Sequence, residues 1–252
     1  MAGAWPGRWR AALQAIGLAA LFALSGCTIS PEESAHRVLE AMEKHEPTYA
    51  LVRRYDPQTH AELRRFIEGQ LREPSGGRDA FERGIREVMS RMVLKRLRAA
   101  PDHVVVEYLE MVGEETQRLE AYPEVCAAIL LGTAGDISAY ESAPAVERER
   151  RFYRSLLTAS PTVRDQPMAT EPELDRFREA FLGEAQTAMS LSEEQLLDAL
   201  DGIAPPAETC RVTGGLIRHL ARLPGPEAAR LLRLLALLQE QGDQAIPVAP
   251  FI

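Results

Sequence analysis

The sequence is poor in the residues that announce chemistry. It has two tryptophans, and both, Trp5 and Trp9, fall within the first nine residues. Their absence from the rest disfavours sugar binding through broad aromatic platforms. No H-E-x-x-H, C-x-x-C or G-x-S-x-G pattern occurs, so the common zinc-protease, dithiol and serine-hydrolase signatures are missing. No apolar run reaches the roughly 20 residues that a membrane-spanning helix requires. The chain also lacks a basic excess, with 29 Lys and Arg against 37 Asp and Glu. Nucleic-acid binding needs a basic footprint, so that class is disfavoured. No internal repeat of fixed period can be aligned, and no cofactor is expected.

What is present begins with a leader. Arg8 and Arg10 precede an apolar run from Ala11 to Leu24, interrupted by Gln14 and Gly17. Its length suits the apolar middle of an export signal, which takes roughly 7–15 residues. Small residues then lead to Cys27. The stretch Leu24-Ser25-Gly26-Cys27 resembles the lipobox of bacterial lipoproteins. That resemblance implies cleavage before Cys27 and a diacylglycerol on its sulfur. It implies a cell-envelope location and contact with the membrane through the lipid. Thr28 stands where the family commonly carries an inner-membrane retention aspartate, which points to the outer membrane, facing the periplasm. The expected organisation is a signal peptide over residues 1–26 and an extracytoplasmic helical domain over 27–252.

Ser30-Pro31-Glu32-Glu33 reads as a helix start. Ser30 is the cap, Pro31 takes the first helical position and Glu33 is placed to complete a capping box. Only Thr28 and Ile29 separate Cys27 from that cap, so the domain is expected to lie close to the lipid.

Removing the leader leaves 27 basic and 37 acidic residues, a net charge of −10. The balance is uneven. Residues 46–100 carry a net +4, and residues 101–252 a net −12. The basic stretch includes Arg83, Arg86, Arg91, Lys95 and Arg98. One reading places these against lipid phosphates, where each basic side chain gains about 1 kcal/mol. The preferred reading is a solvated helix face laced with Glu–Arg pairs.

Cys126 and Cys210 remain after the lipid site. An exported compartment is oxidising, so a Cys126–Cys210 disulfide is expected. The alternative is a reactive thiol. Nine residues separate Cys210 from His219, and at about 100° per residue the two face opposite sides of a helix, so no local thiol–imidazole pair forms.

The punctuation is that of short helices joined by tight turns. Helices are expected over Pro31–His45, from Asp56-Pro57, over about Asp79–Ala99, and over Pro123–Leu131. Others are expected near Pro144–Leu157, from Pro172, after Ser190-Leu191-Ser192, from Pro205-Pro206 and from Pro224-Gly225-Pro226. The stretch VVVEYLEMV, residues 104–112, is rich in strand formers. Yet Val104, Val105, Tyr108, Leu109 and Val112 fall on one helical stripe, and helix is expected. Thr213-Gly214-Gly215 lies within a helical pattern, where it allows close packing or breaks the helix. The small, polar stretch 132–143 is the candidate hinge. The tail IPVAPFI cannot be helical through its two prolines and is expected to dock at least partly. The fold class is all-α: an irregular array of short helices and hairpins, with two packed subdomains as one possibility.

Glu141-Ser142 resembles the Glu-Ser pair of lytic transglycosylases, which are helical and often lipid-anchored. The resemblance implies a general acid at Glu141, and the family's downstream Gly-Leu-Met-Gln motif is missing. The preferred function is non-enzymatic binding of another envelope protein, as scaffold, assembly factor or inhibitor. The other readings are a cell-wall-modifying enzyme and a carrier of lipid or another amphiphile.

Overall fold

The computed structural model describes residues 30–74, 77–134, 137, 139–159 and 166–241. Among them are eleven helices and no strand, so the protein is all-α. The leader, Cys27 and the tail from residue 242 lie outside the described residues, as do 135, 136 and 138 of the expected hinge. The chain divides into two compact units. One comprises residues 1–89 with 135–143, the other 90–134 with 144–252.

The first unit is built on α1 (Pro31–His45), α2 (Pro47–Tyr55), α3 (Pro57–Arg72) and the part of α4 (Gly77–Ala99) up to Met89. Each of the first three helices opens with proline after an oxygen-bearing cap. Proline costs nothing there, because the first N–H groups of a helix have no intrahelical partner. Ser30 Oγ accepts from the Glu33 N–H at 3.1 Å. Glu46 Oε1 accepts from the Thr48 N–H at 3.2 Å and the Thr48 hydroxyl at 2.8 Å. Asp56 Oδ1 accepts from the Thr59 N–H at 3.1 Å. Glu46 and Asp56 each end one helix and cap the next, so the three helices follow one another through single-residue turns.

They pack on one another through Val38, Leu39, Met42, Val52, Leu63 and Ile67, all buried. Glu43 of α1 ties the group together. It pairs with Arg53 of α2 and His60 of α3, both at 3.0 Å. Two local expectations need correction. Glu33 does not close a capping box; its carboxylate accepts from Arg37 at 2.6 Å instead. Helix α2 was not anticipated, because glutamate is a weak cap signal and Tyr49, Val52 and Tyr55 are poor helix formers. Burial of Tyr49 and Val52 supplies what propensity does not.

The second unit holds the rest of α4, then α5 (Asp102–Leu119), α6 (Pro123–Leu130), α7 (Ala143–Thr158), α8 (Glu171–Met189), α9 (Glu193–Leu200), α10 (Pro206–Ala221) and α11 (Gly225–Gln241). The 104–112 stretch is helical and buries Val104, Val105, Tyr108, Leu109 and Val112. Helix α10 is the hub, packing against α5, α6, α8, α9 and α11. The close approach of α5 depends on Gly214: a Cβ there would lie 3.2 Å from Thr116 Cβ. The Gly-Gly pair thus serves packing and does not break the helix.

Cys126 of α6 and Cys210 of α10 form a disulfide, with Cα atoms 5.5 Å apart. Both are buried. Helix α11, which also packs on α10, buries Arg233 completely. Its guanidinium donates to the Ala100 carbonyl at 2.6 Å, the Asp102 carboxylate at 2.7 Å and the Pro167 carbonyl at 3.2 Å. One side chain therefore fixes the α4–α5 turn and the strand of loop entering α8.

Candidate functional site

Helices α5 and α8 both pack on α10 and make few contacts with each other. Between them lies a groove of about 520 Å³. Its α5 wall carries Leu109, Gly113 and Gln117, with Glu110 and Glu114 alongside. Its α8 wall carries Phe181, Ala185, Ala188 and Met189, and the floor is Gly215, Arg218 and Ala221 of α10. Leu109 to Gln117 spans eight residues, as does Phe181 to Met189, so each wall is about 12 Å or two turns long.

The lining mixes long side chains with glycine and alanine. Gly113 lies beneath the stem of Arg218, whose Cγ would stand 3.5 Å from a Cβ at that position. A Cβ at Gly215 would meet Met189 Cε at 3.0 Å. Glycine at both places lets the Arg218 stem and the Met189 methyl lie close against the neighbouring backbone.

The polar groups at the rim are largely committed. Arg218 pairs with Glu120 at 2.8 Å, while its Nη1 is buried beside Gly214 and makes no hydrogen bond. Arg222 donates to Glu184 at 2.9 Å, and His219 Nδ1 approaches the same carboxylate at 2.8 Å. Desolvation acts to raise the Glu184 carboxyl, but Arg222 and His219 overcome it and hold the group below the ordinary glutamate range. His219 is further held by Phe177 and Phe181, with ring centroids 5.5 and 5.8 Å away. Glu114 pairs with Arg148 of α7 at 3.2 Å. Glu110 is exposed and forms no ion pair among the described residues.

The arrangement offers an apolar trough with charged edges. Among the described residues there is no cluster of His, Cys, Asp or Glu suited to a metal ion, and no helix long and apolar enough to cross a membrane.

The sequence-selected residues fall elsewhere. Cys210 is bonded to Cys126, so neither is a free thiol, and His219 points to α8 rather than to either sulfur. Glu141 lies in the connection before α7, half-buried and outside the groove. Of the basic residues on α4, Arg83, Arg91 and Lys95 are exposed, while Arg86 and Arg98 are half-buried. Arg86, Arg91 and Arg98 each already interact with another group of the protein. Sequence reading missed the groove, since its lining is glycine, alanine and long side chains drawn from three helices far apart in the chain. The one available signal was the Gly214-Gly215 pair. No known protein family, curated protein or solved structure matches the chain.

Proposed function

We propose that this protein is a lipid-anchored component of the bacterial cell envelope that binds another envelope protein, as scaffold, assembly factor or inhibitor. The anchor is Cys27, at the end of the lipobox-like Leu24-Ser25-Gly26-Cys27. The domain begins three residues later at the Ser30 cap, which keeps it near the membrane, facing the periplasm from the outer membrane.

The observation that carries the binding reading is the α5–α8–α10 groove. It is two helical turns long, largely apolar along its α8 wall and charged at its edges, with Arg218 in its floor. Grooves of that form take a peptide or a helix through a row of side-chain anchors. A carrier of lipid or another amphiphile is the second reading, favoured by the apolar α8 wall. It comes second because an open trough leaves an acyl chain in contact with water, and apolar surface left wet forgoes about 25 cal/mol per Å².

Two measurements test the proposal. Labelled palmitate should enter the wild-type protein in cells and should not enter Cys27→Ser; labelling that survives the substitution overturns the anchor. Crosslinking in intact cells, followed by purification of the tagged protein, should recover one dominant envelope protein. A protein that stays uncrosslinked and instead brings phospholipid with it overturns the binding reading in favour of the carrier.

A further inference from the structure

The groove has the dimensions of a missing helix. Helices α5 and α8 flank α10 on two sides, and packed helix axes lie 8–10 Å apart. A fourth helix laid between α5 and α8 would complete a four-helix cluster over the exposed face of α10. Two turns of wall accommodate anchors at i, i+3, i+4 and i+7, and the small side chains of Ala188 and Ala221 permit a close approach on the α8 and α10 sides.

Charge selects the occupant. The two arginines of the groove are each neutralised, Arg218 by Glu120 and Arg222 by Glu184. The α5 rim carries Glu110 and Glu114, of which only Glu114 has an ion-pair partner among the described residues, the partly exposed Arg148. Residues 101–252, from which the groove is built, carry a net −12. An acidic helix would meet repulsion along α5, whereas a basic one would meet a vacant carboxylate. Like charge set against like charge costs enough to exclude a partner.

We infer that the groove receives a basic amphipathic helix of a partner protein, its apolar side on α8 and α10 and its lysines or arginines along Glu110 and Glu114 of α5. The inference rests on the reading that this protein binds another protein, and it names the site and the chemistry of the partner.

The probe is a synthetic 18-residue amphipathic peptide of leucine, alanine and lysine. Its counterpart carries glutamate in place of every lysine. Each is titrated by fluorescence anisotropy against the full chain in detergent. The lysine peptide should bind at least tenfold more tightly than the glutamate peptide. Its affinity should fall tenfold or more in Ala188→Trp, which fills the trough from an exposed position, and in the double variant Glu110→Lys, Glu114→Lys. The double variant should also gain affinity for the glutamate peptide, a reversal that mere unfolding cannot produce. Equal binding of the two peptides, or variants that bind like wild type, overturns the inference.

A photo-crosslinking residue placed at Ala188, and separately at Glu179 on the opposite face of α8, separates this inference from the one beneath it. Crosslinking to an envelope protein at Ala188 but not Glu179 supports the groove as the site. Crosslinking only at Glu179 overturns the groove and leaves protein binding standing. Crosslinking at neither position, together with an empty result in the intact-cell experiment, overturns both.

Discussion

The two units of the chain are held together by different kinds of interaction. In the first, order is local. Caps act over two or three residues, as Ser30 to Glu33, Glu46 to Thr48 and Asp56 to Thr59, and Glu43 ties to His60, 17 residues away. In the second, the decisive ties are remote. The disulfide joins positions 84 residues apart, and Arg233 reaches Ala100 and Asp102 across 133 and 131 residues. Local ties fix helices where the sequence says they start. Remote ties fix which helices meet, and that decides whether the groove exists.

Breaking the disulfide should give the largest effect. Closing a loop of this length limits the unfolded chain by about 4–5 kcal/mol in the chain-entropy account. Cys126→Ala with Cys210→Ala should lower the stability of the second unit by an amount of that order. Hydrogen exchange should rise in α6 and α10 while α1 to α3 keep their protection. A uniform rise across both units would mean that they unfold as one, and the contrast would lose its energetic meaning. Two free thiols counted at Cys126 and Cys210 in protein isolated without reductant would remove the disulfide altogether.

Arg233→Ala should come next. It leaves the Ala100 and Pro167 carbonyls without their donor and opens a cavity in a fully buried position. The unmet buried acceptor of Ala100 costs about 1–3 kcal/mol, the cavity adds to it, and Pro167 and Asp102, which are exposed or partly so, can return to water. A total of about 3 kcal/mol in chemical denaturation is expected. Arg233→Lys should rescue little, since one ammonium cannot span three acceptors in the guanidinium geometry. Full rescue by lysine would show that charge alone matters and that the fork does not.

In the first unit the matching test is Asp56→Ala, which removes a cap and should cost about 1 kcal/mol. Its effect should stay within α3 and its neighbours. The smaller size is itself part of the contrast, because a cap holds one helix start while the disulfide and Arg233 each hold separate helices together.

This division also explains what could be read in advance. The all-α class and most helix starts were legible, because prolines and caps act within a turn of the residue they control. The Cys126–Cys210 pair was legible by count and by the oxidising compartment that the lipobox resemblance implies. Arg233 was not, although a lone charge inside LLRLLALL, residues 231–238, is the mark of a helix buried on nearly every side. The groove was least legible. A space is defined by what three separate helices fail to fill, and no window of sequence contains Gly113, Ala188 and Gly215 together.

The smallest expected effect belongs to the groove rim and depends on pH. The Glu184 carboxyl is held below its ordinary range by Arg222 and His219. A folded value below the unfolded one means that the carboxylate contributes stability above the unfolded value, near pH 4.3. That contribution is lost as the pH falls through the folded value. Glu184→Gln should therefore leave the second unit slightly less stable at pH 7 and equal to wild type at the acid end, with the two thermal-melting curves converging below about pH 4. Glu184 is half exposed, so the gap at neutral pH should shrink further as salt is added. A gap that persists into acid would assign Glu184 a packing role. A gap that closes would show that the α8 edge of the groove is fastened to α10 by charge.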